Sequence, residues 1–99
     1  MNAQSRELLI PPGAAASDNS VEILRAWRVD DGLQVSLKPD AWKEPNAWGL
    51  VFADIARHVA DALRQTSGLN VDDTLDEIRY MFNAELLNPT DEPTGGFIQ

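Results

Sequence analysis

The chain has 99 residues, the length of a single domain and too little for two separate cores. A hydrophobic share of 43% with 24% charged residues suits a packed globule rather than a wholly disordered chain. Sixteen acidic against eight basic residues give a net charge of −8, which repels nucleic-acid phosphates and anionic lipid alike, so neither nucleic acid nor a membrane is an expected partner. The absence of cysteine excludes disulfides, thiolate metal sites and a thiol nucleophile, and a lone histidine, His58, excludes a multi-histidine metal site within one chain. Prolines interrupt the short apolar run near the N-terminus, and no stretch is long enough to span a bilayer, so a cytoplasmic protein is expected.

In chain order, Glu7 to Ile10 can form an extended strand, and Gly13 to Ser20 is small and polar enough for a loop, so residues 1–20 read as largely extended or loop. Val21 to Val29 and Leu33 to Leu37 both alternate between apolar and polar residues, the pattern of two half-buried strands. Asp30-Asp31-Gly32 joins them, and loop length sets the register. A two-residue Asp31-Gly32 turn would mix faces. A three-residue loop with Gly32 in the left-handed position pairs Val29 with Leu33, Trp27 with Val35 and Arg25 with Leu37, keeping the apolar faces together, and is therefore expected. Pro39 ends the second strand and Asp40 to Glu44 read as a turn. Pro45 suits the first position of a helix that runs to about Thr66 and stops at Gly68. Asn70 is a good cap for a second helix, with Asp72 and Asp73 in the first turn where the helix dipole favours them, and Pro89 sets its end near Leu87 or Asn88. The short connection makes the helices an antiparallel hairpin. The predicted fold is α+β in the order ββαα: a β-hairpin, with Glu7 to Ile10 available as a third strand, packed on an antiparallel helix pair. Residues 1–88 form the domain and 89–99, ending in Phe97-Ile98-Gln99, a flexible tail.

At about 100° per residue, Trp48, Val51, Phe52, Ile55, Val59, Ala62 and Leu63 form a bulky stripe on the first helix, expected to face the sheet. Beside it runs a stripe of small residues, Gly49, Ala53, Ala56 and Ala60, which lets another helix approach, from the same chain or another copy. Gly49 costs roughly 1 kcal/mol against alanine within a helix and calls for such a packing reason. The second helix places Val71, Leu75, Ile78, Phe82 and Leu86 on one stripe, with Tyr80 and Leu87 off it, and carries five acids against Arg79.

Two constellations bear on chemistry. Asp54, His58 and Asp61 lie at i−4 and i+3 spacing, so both carboxylates can flank the imidazole, orient it as a base or join it on a metal; the competing reading is a solvated charge cluster in which Arg57 and Arg64 draw on Asp61. Trp42 and Trp48 bracket Pro45 and the free amides of a helix start, a geometry able to hold an anion or flat ligand, although tryptophan more often serves a core or an interface. No phosphate-binding glycine loop, dinucleotide fingerprint, zincin or calcium-loop pattern occurs, and no cofactor is implied.

The segments Glu7 to Pro11, Ser20 to Trp27, Leu33 to Leu37 and Trp42 to His58 resemble a family of small bacterial proteins, chiefly alphaproteobacterial, known as a domain of unknown function. The resemblance spans about residues 5 to 88, its most distinctive piece being Trp42-x-x-Pro45-x-x-Trp48-Gly49. It implies a bacterial cytoplasmic protein and supplies no catalytic residues. The expected function is a non-enzymatic oligomerising or protein-binding module, with a small enzyme or a ligand binder using Trp42, Trp48 or His58 as the alternative. A two-stranded sheet is marginal alone, so a homodimer is expected, with its interface at Gly49, Ala53, Ala56 and Ala60 or at Tyr80 and Leu87.

Overall fold

The computed structural model describes residues 6–90, which leaves the Phe97-Ile98 end outside the described residues. Five elements follow in order: α1 (Pro12–Ala16), β1 (Leu24–Val29), β2 (Gly32–Leu37), α2 (Asn46–Ser67) and α3 (Val71–Leu87). The fold is α+β, an antiparallel hairpin followed by two helices.

The helix termini form within a residue of where the sequence places them, with Pro45 just before α2 rather than its first residue. Pro45 precedes α2 with φ −57°, and Gly68 closes it at φ +69°. The Gly68 amide donates to the Arg64 carbonyl (3.0 Å) and the Leu69 amide to that of Leu63 (3.5 Å), two bonds that use carbonyls left over at a helix end. At the start of α3 the Asn70 side chain accepts from the Asp73 amide (3.0 Å), while Thr74 donates its amide (3.0 Å) and Oγ1 (2.9 Å) to the Asn70 carbonyl.

The hairpin corrects the expected register. Leu24 pairs with Leu37, Ala26 with Val35, Trp27 with Gln34 and Val29 with Gly32, so the loop is Asp30-Asp31 alone and Gly32 belongs to the strand. The left-handed position falls to Asp30 (φ 54°), since a short polar side chain tolerates that conformation and removes the need for glycine. One face then carries Leu24, Ala26, Arg28, Leu33, Val35 and Leu37, and the other Arg25, Trp27, Val29, Gly32, Gln34 and Ser36. β1 starts at Leu24 rather than Val21 because the ladder runs out: its last bond joins the Lys38 amide to the Ile23 carbonyl (3.0 Å), and Pro39 follows.

Glu7 to Ile10 adds no third strand; the sheet has two. Part of the expected loop at Gly13 to Ser20 is helical instead. Pro12 occupies the first turn of α1, where a missing N–H costs nothing, three alanines follow, and the Ala15 amide reaches the Pro11 carbonyl (3.0 Å).

Among the described elements, close backbone approach is confined to two pairs, β1 with β2 and α2 with α3; neither strand brings its backbone close to that of a helix. The buried described residues are accordingly Ala60 (0% exposed) and Thr74 (6%), both in the seam between α2 and α3. The bulky stripe of α2 was expected under the sheet, yet Phe52, Ile55 and Val59 remain half-exposed. The helix seam runs along the small residues instead, because Ala56 and Ala60 let α3 approach where larger side chains would hold it away. That approach is local: a β-carbon on Gly49 would meet nothing within 4 Å, so Gly49 has no close packing partner among the described residues.

Candidate functional site

The residues singled out for chemistry sit on α2 and just before it. His58 Nε2 lies 3.4 Å from Asp54 Oδ2, one helical turn away, with both side chains largely exposed. Asp61 does not join them. It accepts instead from Arg64 (3.0 Å) and Gln65 (2.7 Å). The hydrogen bond from Arg64 holds the Asp61 carboxyl below the ordinary carboxylate value; desolvation opposes it, while the Arg64 charge, the Gln65 hydrogen bond and the His58 charge add to it. No titratable side chain is buried among the described residues, and none of their His, Asp and Glu side chains gather in groups of three suited to a metal ion.

The tryptophans meet as a row. Trp42 and Trp48 stand edge to face with ring centroids 5.6 Å apart at 89°, and Trp48 leans on Phe52 at 5.9 Å and 36°. This geometry suits the ring quadrupoles and secures the start of α2. The amides at that start are partly spoken for: Ala47 donates to the Glu44 carbonyl and Trp48 to that of Pro45, both at 3.1 Å. Fewer donors are left for an anion than the sequence suggests. Nearby, the hydrogen bond and charge of Lys38, 3.1 Å from Asp40, lower the proton affinity of that carboxyl.

The expected contact residues divide. Ala60 is covered by α3 and Ala56 is partly covered, whereas Gly49, Ala53, Tyr80 and Leu87 are exposed. A further apolar surface escaped the sequence reading. The segment before α1 holds Leu8 and Leu9 at 96% and 94% exposure, with Ile10 also well exposed, as is Val21 between α1 and β1. Between this arm, α1 and β1 runs a groove of about 660 Å³, lined among others by Leu8, Leu9, Ile10, Ile23, Ala26 and Trp27. The run Leu8-Leu9-Ile10 ahead of two prolines is its sequence signal: strongly apolar, yet barred by Pro11 and Pro12 from continuing into a regular strand. Arg25 ties the arm to β1 through Glu7 (3.6 Å) and also holds Glu22 (3.2 Å).

Fold and surface together define a small α+β module whose apolar side chains face outward more than inward. The chain belongs to the family described as a domain of unknown function (DUF5076), whose family model matches residues 7–90. It is also similar to a solved structure described as that of a putative pyruvate dehydrogenase from the photosynthetic bacterium Rhodopseudomonas palustrus CGA009. That chain is 36% identical and superposes with a TM-score of 0.73, over 94% of this chain and 95% of the other. No curated protein matches the chain. Among the described residues, no helix is long and apolar enough to cross a membrane.

Proposed function

We propose that this chain is a non-enzymatic bacterial module that acts by assembling with a second copy of itself, in the cytoplasm. One observation supports this reading: the accessible surface is larger than a compact monomer of this mass exposes. The accessible area is 8892 Å², where a folded monomer of this mass exposes about 5,600 Å². An unfolded stretch exposes about 1.45 Å² per dalton, so complete exposure of every residue outside 6–90 accounts for about 2,200 Å² of the difference. About 1,000 Å² or more remains. A standard interface buries about 800 Å² on each partner, so one interface absorbs the excess. The exposed apolar side chains, from Leu8 and Leu9 to Leu50, Tyr80 and Leu87, supply the chemistry for it. Sedimentation equilibrium at micromolar concentration checks this: twice 10.9 kDa is the expected mass, and a fixed 10.9 kDa overturns the reading.

The 36% identical neighbour supports a second reading, a part in pyruvate oxidation. In one chain the acid–base groups available for it are exposed, so this reading places the chemistry in an assembly. Pyruvate-dependent reduction of an electron acceptor by the purified protein, absent in a blank, is the result that favours it. The third reading, a ligand or anion binder at Trp42 and Trp48 or a small enzyme at Asp54, His58 and Asp61, draws on the His58–Asp54 contact. A saturable thermal shift with metals or metabolite anions, abolished by His58→Ala or Trp48→Ala, would move the assignment there.

A further inference from the structure

The geometry points to the outer edge of β1 as the two-fold contact: the β1 strands of two copies pair antiparallel about Ala26, joining two hairpins into one four-stranded sheet. This deepens the dimeric reading above and rests on it. The directions of the backbone groups carry it. The Lys38 amide donates to the Ile23 carbonyl, so Ile23 points its backbone groups toward β2. In an antiparallel ladder the direction alternates, so Arg25, Trp27 and Val29 also point inward, opposite Ser36, Gln34 and Gly32. Leu24, Ala26 and Arg28 therefore turn their N–H and C=O groups outward, on a sheet edge that no described strand covers. An open row of this kind is a template for another strand.

The groove beside that edge is where the most exposed apolar residues of the hairpin region gather. Leu8, Leu9 and Ile10 line one side, and Ile23, Leu24 and Ala26 the other. Leu8 and Leu9 are almost fully exposed, so a strand entering the groove gives them cover. The edge is self-complementary, as a two-fold contact requires. Centred on Ala26, it sets Leu24 opposite the second copy's Arg28, and Ile23 opposite the second copy's Val29. It also sets Arg25 opposite the second copy's Trp27, a cation beside an indole. No like charges stand directly opposite one another within β1, and the smallest side chain of the strand sits at the axis. The excess area is enough for one interface, and pairing at this edge would supply it while enlarging a sheet too small to be stable alone.

The absence of cysteine makes the test direct. Directly opposed residues of a hydrogen-bonded antiparallel pair have Cα atoms about 5.5 Å apart, within the range a disulfide spans. Ala26→Cys should therefore yield a covalent dimer on mild oxidation. Arg28→Cys should not, because four residues of offset separate the two copies by about 13 Å along the strand. In the unmodified protein, the amides of Leu24, Ala26 and Arg28 should become protected from hydrogen exchange as concentration rises. A dimer in which Ala26→Cys fails to link and these amides stay unprotected overturns the edge pairing while leaving the dimeric reading intact. Linking through Ala53→Cys but not Ala26→Cys moves the axis to α2 and overturns it equally. Linking through Arg28→Cys in preference to Ala26→Cys overturns the register. A wild-type mass of 10.9 kDa at every concentration removes the dimer itself.

Discussion

In the helix pair, Asn70, Thr74 and Gly68 settle the chain ends by hydrogen bonds within a few residues, and Ala60 and Thr74 close a seam that needs nothing from outside. The hairpin and its arm hold together differently. Their ladder bonds are as regular, yet no residue there is buried, and Leu8 and Leu9 stand almost free. Secondary structure is thus complete in both regions, while tertiary burial is begun in one and missing from the other. Hydrogen bonding builds an element, but only a covered apolar face gives it a stable place, and a small domain can leave that cover to a second copy.

The sharpest way to break this contrast is Ala60→Glu. It sets an unpaired charge in the one fully buried position among the described residues, and a loss of about 3 kcal/mol or more is expected in urea denaturation. Survival of the helices at wild-type stability would mean that the seam does not hold them. Next comes Gly68→Ala: at φ +69° a β-carbon is strained whatever space surrounds it, and a loss of about 1–2 kcal/mol should appear in the same measurement. Asn70→Ala removes the side-chain acceptor for the Asp73 amide and should cost about 1 kcal/mol. These three losses should be the same at low and high protein concentration, since each lies within one chain. A substitution on the outer edge of β1 should shift the unfolding midpoint only where the dimer is populated.

The smallest effect concerns Asp61. Its folded-state proton affinity is lowered, chiefly by the Arg64 hydrogen bond, so its contribution is present above the unfolded carboxylate value of 3.8 and is lost as pH falls through the lower folded value. Both partners are half-exposed and the pair stabilises little. The check is a carboxyl titration by NMR: Arg64→Gln should return the Asp61 midpoint toward 3.8, and an unchanged midpoint would assign the shift to another cause.

What could be read from the sequence follows the range of each signal. Caps act over three or four residues, so Asn70, Gly68 and the stop before Pro89 were legible, and with them the ββαα order. The hairpin register was not, because Asp30 and Gly32 both can take a left-handed turn position and their order in the chain does not say which does. The bulky stripe of α2 shows why periodicity misleads about partners: the pattern of Trp48, Phe52, Ile55 and Val59 establishes an apolar face but not what covers it. α1, with five residues, is too short to show a period at all. At the candidate site, the i, i+4 spacing gave the Asp54–His58 contact, whereas Asp61 went to Arg64 and Gln65, which lie at the same separations on its other side. The exposed arm was visible as an apolar run, but exposure is a property of the surroundings, and a linear chain does not display those.

The row formed by Trp42, Trp48 and Phe52 has an optical consequence. Trp48 and Phe52 bridge the turn that Gly49 loosens, and Trp42 reaches the same turn from outside the helix, so the rings act as a splint across the weakest part of α2. If that turn opens, the 5.6 Å edge-to-face contact is lost before the rest of the helix unwinds. Two of the three indoles in the chain therefore report on one turn of helix, and their emission, with Trp27 replaced by phenylalanine to remove the third, follows fraying at this point separately from the unfolding of the whole.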